Sequence, residues 1–149
     1  MTCAISPTPA SRQQFVNALK VLQPFIGESQ LAVVRGAARG EERQFFYDKI
    51  VELAGIVSIM PKTYEQDGKG DQAVAYLHYF TGGCDWHITE RDVETPEQPG
   101  QHQAYGQANL GHGSAERGYI SIVELLANGA ELDFYFKPCA LAVVNERNP

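Results

Sequence analysis

The sequence predicts a single α+β domain, and three observations carry that expectation. Apolar residues recur at helical spacing as far as Met60, the period drops to two beyond Pro61, and a short capped helix interrupts the later strands. The chain has 149 residues, the size of one domain. A chain of this length buries roughly 70% of its unfolded surface. With 44% hydrophobic residues it can build a core without staples. The domain is read as 1–149, with a helical part at 1–60 and a sheet part at 61–149.

Ser11 and Gln14 form a capping box ahead of Phe15, Leu19 and Leu22, which fall on one helical face. Pro24 and Gly27 stop that helix. The short apolar piece LAVVRGAARG follows. A second stripe then runs through Phe46, Ile50, Leu53 and Val57, with Glu41, Glu42, Asp48, Lys49 and Glu52 largely on the solvated side. Pro61 ends it, and KTYEQDGKGDQ is a polar surface loop.

Strands come next. Tyr76, His78 and Phe80 alternate with Ala75, Leu77 and Tyr79, and Gly82-Gly83 permits a tight hairpin turn into Trp86, Ile88 and Glu90. VETPEQPGQ is a loop, HQAYGQANL a third strand, and GHGSAERG another turn. Gly118 to Ile120 reads as a short strand. Ser121 and Glu124 cap the helix IVELLA, which Asn128-Gly129 stops. Leu132, Phe134 and Phe136 alternate with Asp133, Tyr135 and Lys137, predicting a half-buried strand that Pro138 closes, with both phenylalanines on the core face. The expected architecture is two or three N-terminal helices on a mostly antiparallel sheet of about four to six strands, with one short crossover helix.

Composition narrows the function. The net charge of −6 disfavours a protein that grips duplex DNA by its phosphates. Cys3, Cys84 and Cys139 are odd in number and lack metal spacing, which points to a reduced, cytoplasmic protein. MTCAISPTPASRQQF has no basic segment followed by an apolar run, so no secretory signal is read there. No apolar stretch approaches the roughly 20 residues that span a bilayer.

The pieces MPKTYEQDGKGDQAVAYLHYF, DWHITE, QAYG, ERGYISIVELL and ELDFYFKP, in that order, resemble domain-of-unknown-function family 2958, over residues 60–143. The resemblance implies a small protein of a plasmid, phage or other mobile element, encoded beside conjugation, antirestriction or replication genes. It brings no catalytic residue with it. His87 departs from the family pattern, where an aromatic, usually tyrosine, follows the tryptophan.

Two clusters invite a functional reading. A hairpin loop of even length places His78 opposite His87 and Phe80 opposite Asp85, whereas a three-residue loop breaks that pairing. His78, His87 and Asp85 on one face suit a divalent ion. A two-stranded face supplies little to orient such ligands, and a structural hairpin without metal is expected. The acids Asp85, Glu90, Asp92, Glu94 and Glu97, opposed only by Arg91, have three readings: Mg²⁺ ligands of a nuclease, a solvated edge that discourages strand pairing, or a surface for a basic partner. Thr81 to Cys84 and Gly111 to Ser114 are glycine-rich turns without the strand-to-helix setting of a phosphate loop. Cys84 and His87 sit three apart on one strand and point to opposite faces, which argues against a thiol nucleophile. The expected function is that of a non-enzymatic accessory protein of a mobile element that binds a host or element protein, with an anti-defence role. The alternative is a metal-dependent single-stranded DNA nuclease. No cofactor is expected, and the oligomeric state is open.

Overall fold

The computed structural model describes residues 8–147. The first seven residues of MTCAISPTPASRQQF, Cys3 among them, lie outside this range. The chain is α+β, and its order is helices first and sheet second. Helix α1 (Arg12–Leu22) begins at the expected capping box: the Ser11 side chain accepts from the Gln14 amide, and the Gln14 side chain accepts from the Ser11 amide. A 3₁₀ turn over Gln23–Phe25 carries Pro24. The segment read as a short apolar piece is itself a helix, α2 (Glu28–Ala37), and α3 runs over Arg43–Ile59. Phe15 of α1 stacks on Tyr47 of α3 at 4.9 Å between centroids, and Ile50, Leu53 and Val57 of the predicted stripe are buried.

Five strands make an antiparallel sheet: β2 (Leu77–Thr81), β3 (Cys84–Glu90), β4 (Ala104–Asn109), β5 (Glu116–Ile120) and β6 (Glu131–Leu132), in the order β5-β4-β3-β2-β6. Helix α4 (Ile122–Ala127) makes the crossover between β5 and β6, with the Ser121 hydroxyl accepting from the Glu124 amide. The two-residue strands β1 (Val74–Ala75) and β7 (Cys139–Ala140) pair apart from the main sheet, and α5 (Leu141–Arg147) ends the described chain.

One sheet face packs on the helices. Leu77, Tyr79, Ile88, Ala104, Ile120 and Leu132 join the buried side chains of α1 to α3 in a single core. The Tyr79 hydroxyl is fully buried, donates to the Phe25 carbonyl at 2.5 Å, and is pushed well above the ordinary phenol range by that burial. Gln30 of α2 closes the outer edge of β6 by two hydrogen bonds to the Leu132 backbone, at 2.8 and 3.0 Å. Arg91 donates to the Val57 carbonyl at the end of α3 and lies over the Phe25 ring.

One predicted strand is largely absent. Pairing stops at Leu132, and the chain turns at Phe134-Tyr135 rather than continuing extended to Lys137. The Asp133 carboxylate accepts from the Tyr135 amide at 2.9 Å, a local bond that makes the turn. The two phenylalanines therefore do not share a face. Phe134 packs on the main core, while Phe136 crosses to the other side of the sheet.

Candidate functional site

The second sheet face is polar. Register puts Phe80, His78, Asp85, His87, Asn109, Gln107, Tyr105, Arg117 and Tyr119 on it, since paired residues share a face and alternate along each strand. The pairings His78 with His87 and Phe80 with Asp85 are those of the even loop. Loop 62–73, Phe136 and α5 lie over parts of this face and leave cavities between them.

At one end two imidazoles stack, 4.5 Å between centroids and 8° from parallel. His78 Nε2 lies 2.7 Å from Asp85 Oδ1, and its Nδ1 lies 2.9 Å from Asp133 Oδ2. Both contacts act as hydrogen bonds to ionised carboxylates only when both ring nitrogens carry protons. His87 is held down to about 4, first by its own burial and then by the charge of the neighbouring His78, so its ring is neutral at pH 7. Of the three metal candidates, His78 and Asp85 are joined by a hydrogen bond that extends to Asp133, a member that sequence spacing did not reveal, and His87 only stacks on His78. Among the described residues no group of three or more His, Cys, Asp or Glu is arranged to hold a metal ion.

The acidic stretch is not a solvated edge. Strand β3 is central, paired on both sides, so its acids cannot guard an edge. Glu90 is only 3% exposed, and its carboxylate accepts the Tyr64 amide. Asp92 accepts from the amides of His102 and Gln103 at 3.2 and 3.1 Å. Glu94, itself at φ 47°, accepts from the Gly100 amide at 2.7 Å. Asp85 is engaged by His78, and Glu97 alone of the five is exposed. Backbone donors in the loops take up the negative charge, which is why so many acids fit into a short span.

Glu90 also explains the most unusual backbone in the domain. Tyr64 has φ 82°, a left-handed conformation that a bulky residue rarely adopts. The buried carboxylate fixes its amide. Nearby, the Gln66 side chain bonds the Val74 amide and carbonyl and the Thr89 carbonyl at 2.7 to 2.9 Å. Held in this way, the Tyr64 ring stands 66% exposed, edge-on to Tyr119, which is 57% exposed. Their hydroxyls bond each other, and that bond is the first cause raising the Tyr119 phenol above its ordinary range. Tyr105 meets Tyr119 edge-on at 5.7 Å, and the Arg117 guanidinium beside them pairs with Asp71. The three tyrosines come from a loop and two strands distant in sequence. A tyrosine at left-handed φ in a polar loop carries no local signal, so the cluster was not legible in the sequence.

Cys84 and Cys139 are free thiols. Trp86 is half-buried against the core. Among the described residues no helix is long and apolar enough to cross a membrane.

Fold and site together define an α+β protein with one dry and one polar sheet face. Comparison with models of protein families, with curated proteins and with solved structures returns no match to this chain.

Proposed function

We propose that this is a non-enzymatic binding protein that engages a protein partner through the Tyr64, Tyr105 and Tyr119 cluster and Arg117. The observation that carries the reading is the strained, exposed Tyr64, held at φ 82° by a buried carboxylate. Strain of this kind costs of order 1–3 kcal/mol and persists where surrounding structure over-determines it, often at ligand clamps. Tyrosine and arginine are the residues that dominate protein interfaces, because they offer large area at low conformational cost. Pre-ordering the rings lowers what association must supply.

The similarity of the quoted motifs to family 2958 adds a setting: an accessory protein of a mobile element, with a host defence protein or an element protein as the partner.

The test compares capture of partners from cells carrying the gene by wild type, by Tyr64→Ser/Tyr119→Ser and by Glu97→Gln. The tyrosine variant should lose capture and Glu97→Gln should retain it. Loss with Glu97→Gln alone would return the partner surface to the acidic loop. Cleavage of single-stranded DNA by the wild type with Mg²⁺ or Mn²⁺ would make the protein a nuclease.

A further inference from the structure

A second feature of the polar face adjoins the tyrosine cluster and shares Arg117 with it. A cavity of about 630 Å³ opens between β4, the turn at 111–115 and α5. Its size falls within the roughly 300–1,000 Å³ of small-molecule sites. His87 lines it, is 7% exposed, and has ring contacts to His78 and Phe136 but no hydrogen-bond partner for either nitrogen. Among the described residues no buried side-chain nitrogen or oxygen lacks a partner, so the His87 ring nitrogens, which bond no described residue, reach the cavity and are open to a ligand there.

The other lining groups restrict the chemistry. Gln107 Nε2 donates to Asn145 Oδ1 at 2.7 Å, which leaves the Gln107 carbonyl and the Asn145 amide nitrogen available. Asn109 Oδ1 accepts from the Gly111 amide at 3.0 Å, which leaves the Asn109 amide nitrogen. The two charged residues of the wall are each already compensated, Asp85 by His78 and Arg117 by Asp71. Most of the remaining wall is a set of neutral donors and acceptors, and the one cation, Arg117, is paired through its Nη2 with Asp71. A neutral imidazole adds one donor and one acceptor.

We propose that this cavity binds an uncharged planar ligand bearing an N–H donor beside a ring-nitrogen or carbonyl acceptor, the hydrogen-bonding edge of a nucleobase. That edge is offered both by a free nucleoside and by an unpaired base in a single strand. Three amide side chains and one imidazole, drawn from β3, β4 and α5, complement it as carboxamides complement adenine, whose edge pairs a donor with an acceptor.

The experiment is calorimetric titration of the whole protein with adenosine, guanosine, cytidine and uridine separately, then with the matching monophosphates and a short oligonucleotide of the preferred base. At least one nucleoside should bind with Kd on the order of 0.1 mM, as expected for a ligand of this size. Its monophosphate should bind no tighter, because the Arg117 guanidinium on the wall is paired with Asp71. Binding of the oligonucleotide tighter than the nucleoside assigns the base to a strand, and equal or weaker binding assigns it to a free nucleoside; both uphold the base-edge chemistry. His87→Phe keeps a ring against His78 and Phe136 but removes both nitrogens, and should weaken binding roughly tenfold. Asn145→Ala, on a different element, should weaken it several-fold and keeps the test open if the first variant folds poorly. Absence of binding by all four nucleosides at 10 mM (about one hundred times the expected Kd), a monophosphate bound more than tenfold tighter than its nucleoside, or affinity unchanged in both variants would overturn the proposal. So would stoichiometric Zn²⁺ binding lost in His87→Phe.

Discussion

The two faces of the central sheet are built from the same strands and obey different rules. On the helix side, Leu77, Tyr79, Ile88 and Leu132 are buried in a continuous apolar core. On the other side, His78, His87, Gln107 and Arg117 occupy the matching positions one residue along, and their partners are carboxylates, amides and water-facing cavities. Burial of apolar area is non-directional, so the first face tolerates changes of shape that keep volume. The second is directional: His78, Gln107 and Arg117 each depend on a named partner, and removing one leaves another unsatisfied.

That contrast can be broken most forcefully where the two faces meet. Gly106 lies opposite Ile88 at the β3–β4 irregularity, and a Cβ there would penetrate the His87 carbonyl oxygen, with Ile88 Cα only 3.0 Å away. Gly118, its partner on β5, has open space. Gly106→Ala should destabilise by about 3 kcal/mol or more, because backbone cannot yield as a side chain does. Gly118→Ala should stay within about 0.5 kcal/mol, as surface changes do. Equal denaturation midpoints for the two variants would mean the strands approach differently.

Next in size is the dry face. Ile50 is fully buried in α3, and Ile50→Ala should cost about 2–5 kcal/mol in chemical denaturation. Glu90→Ala tests the directional face. It leaves the Tyr64 amide without its acceptor and should cost about 1–3 kcal/mol. Amide exchange at Tyr64 should rise with it, while exchange in α3 stays as it was.

A smaller effect is set by pH. The folded His87 sits near 4 against an ordinary value of 6.5, so between these values the unfolded chain binds the extra proton. Stability from this group is therefore fully present above about pH 6.5 and falls as pH drops toward 4, by an amount of order 2 kcal/mol. Unfolding measured across that window should show a shallower slope in His87→Phe than in wild type. Parallel slopes would place the ring in water. The smallest effect is at the surface: Tyr64→Phe removes an exposed hydroxyl pair and should change stability by less than about 0.5 kcal/mol.

How far each face was legible in the sequence follows from the same physics. Period and capping gave away α1, α3, α4 and the hairpin, because amphipathic spacing and Ser-x-x-Gln or Ser-x-x-Glu patterns are local. The pairing of His78 with His87 is the even-loop one of the two registers that the double glycine left open. Helix α2 escaped because Gly27 gives it no side-chain cap and LAVVRG suits a strand as well. The strand predicted through Phe136 failed because Asp133 bonds its own chain and turns it. Acids that look like a solvated run proved to be acceptors for loop amides, a role that depends on where the backbone folds back and is not written in their spacing. Asp133 and Tyr64 likewise enter the polar face from far along the chain.

The proposed interface lies on the polar face, not the helical one. A photoreactive phenylalanine analogue placed at Tyr119 tests it most directly, with the same group at Val33 of α2 as the comparison, a site 67% exposed. Irradiation in cells carrying the gene should give a discrete crosslinked adduct from position 119 and none from position 33. An adduct from position 33 alone would contradict the claim and move the interface to the helices.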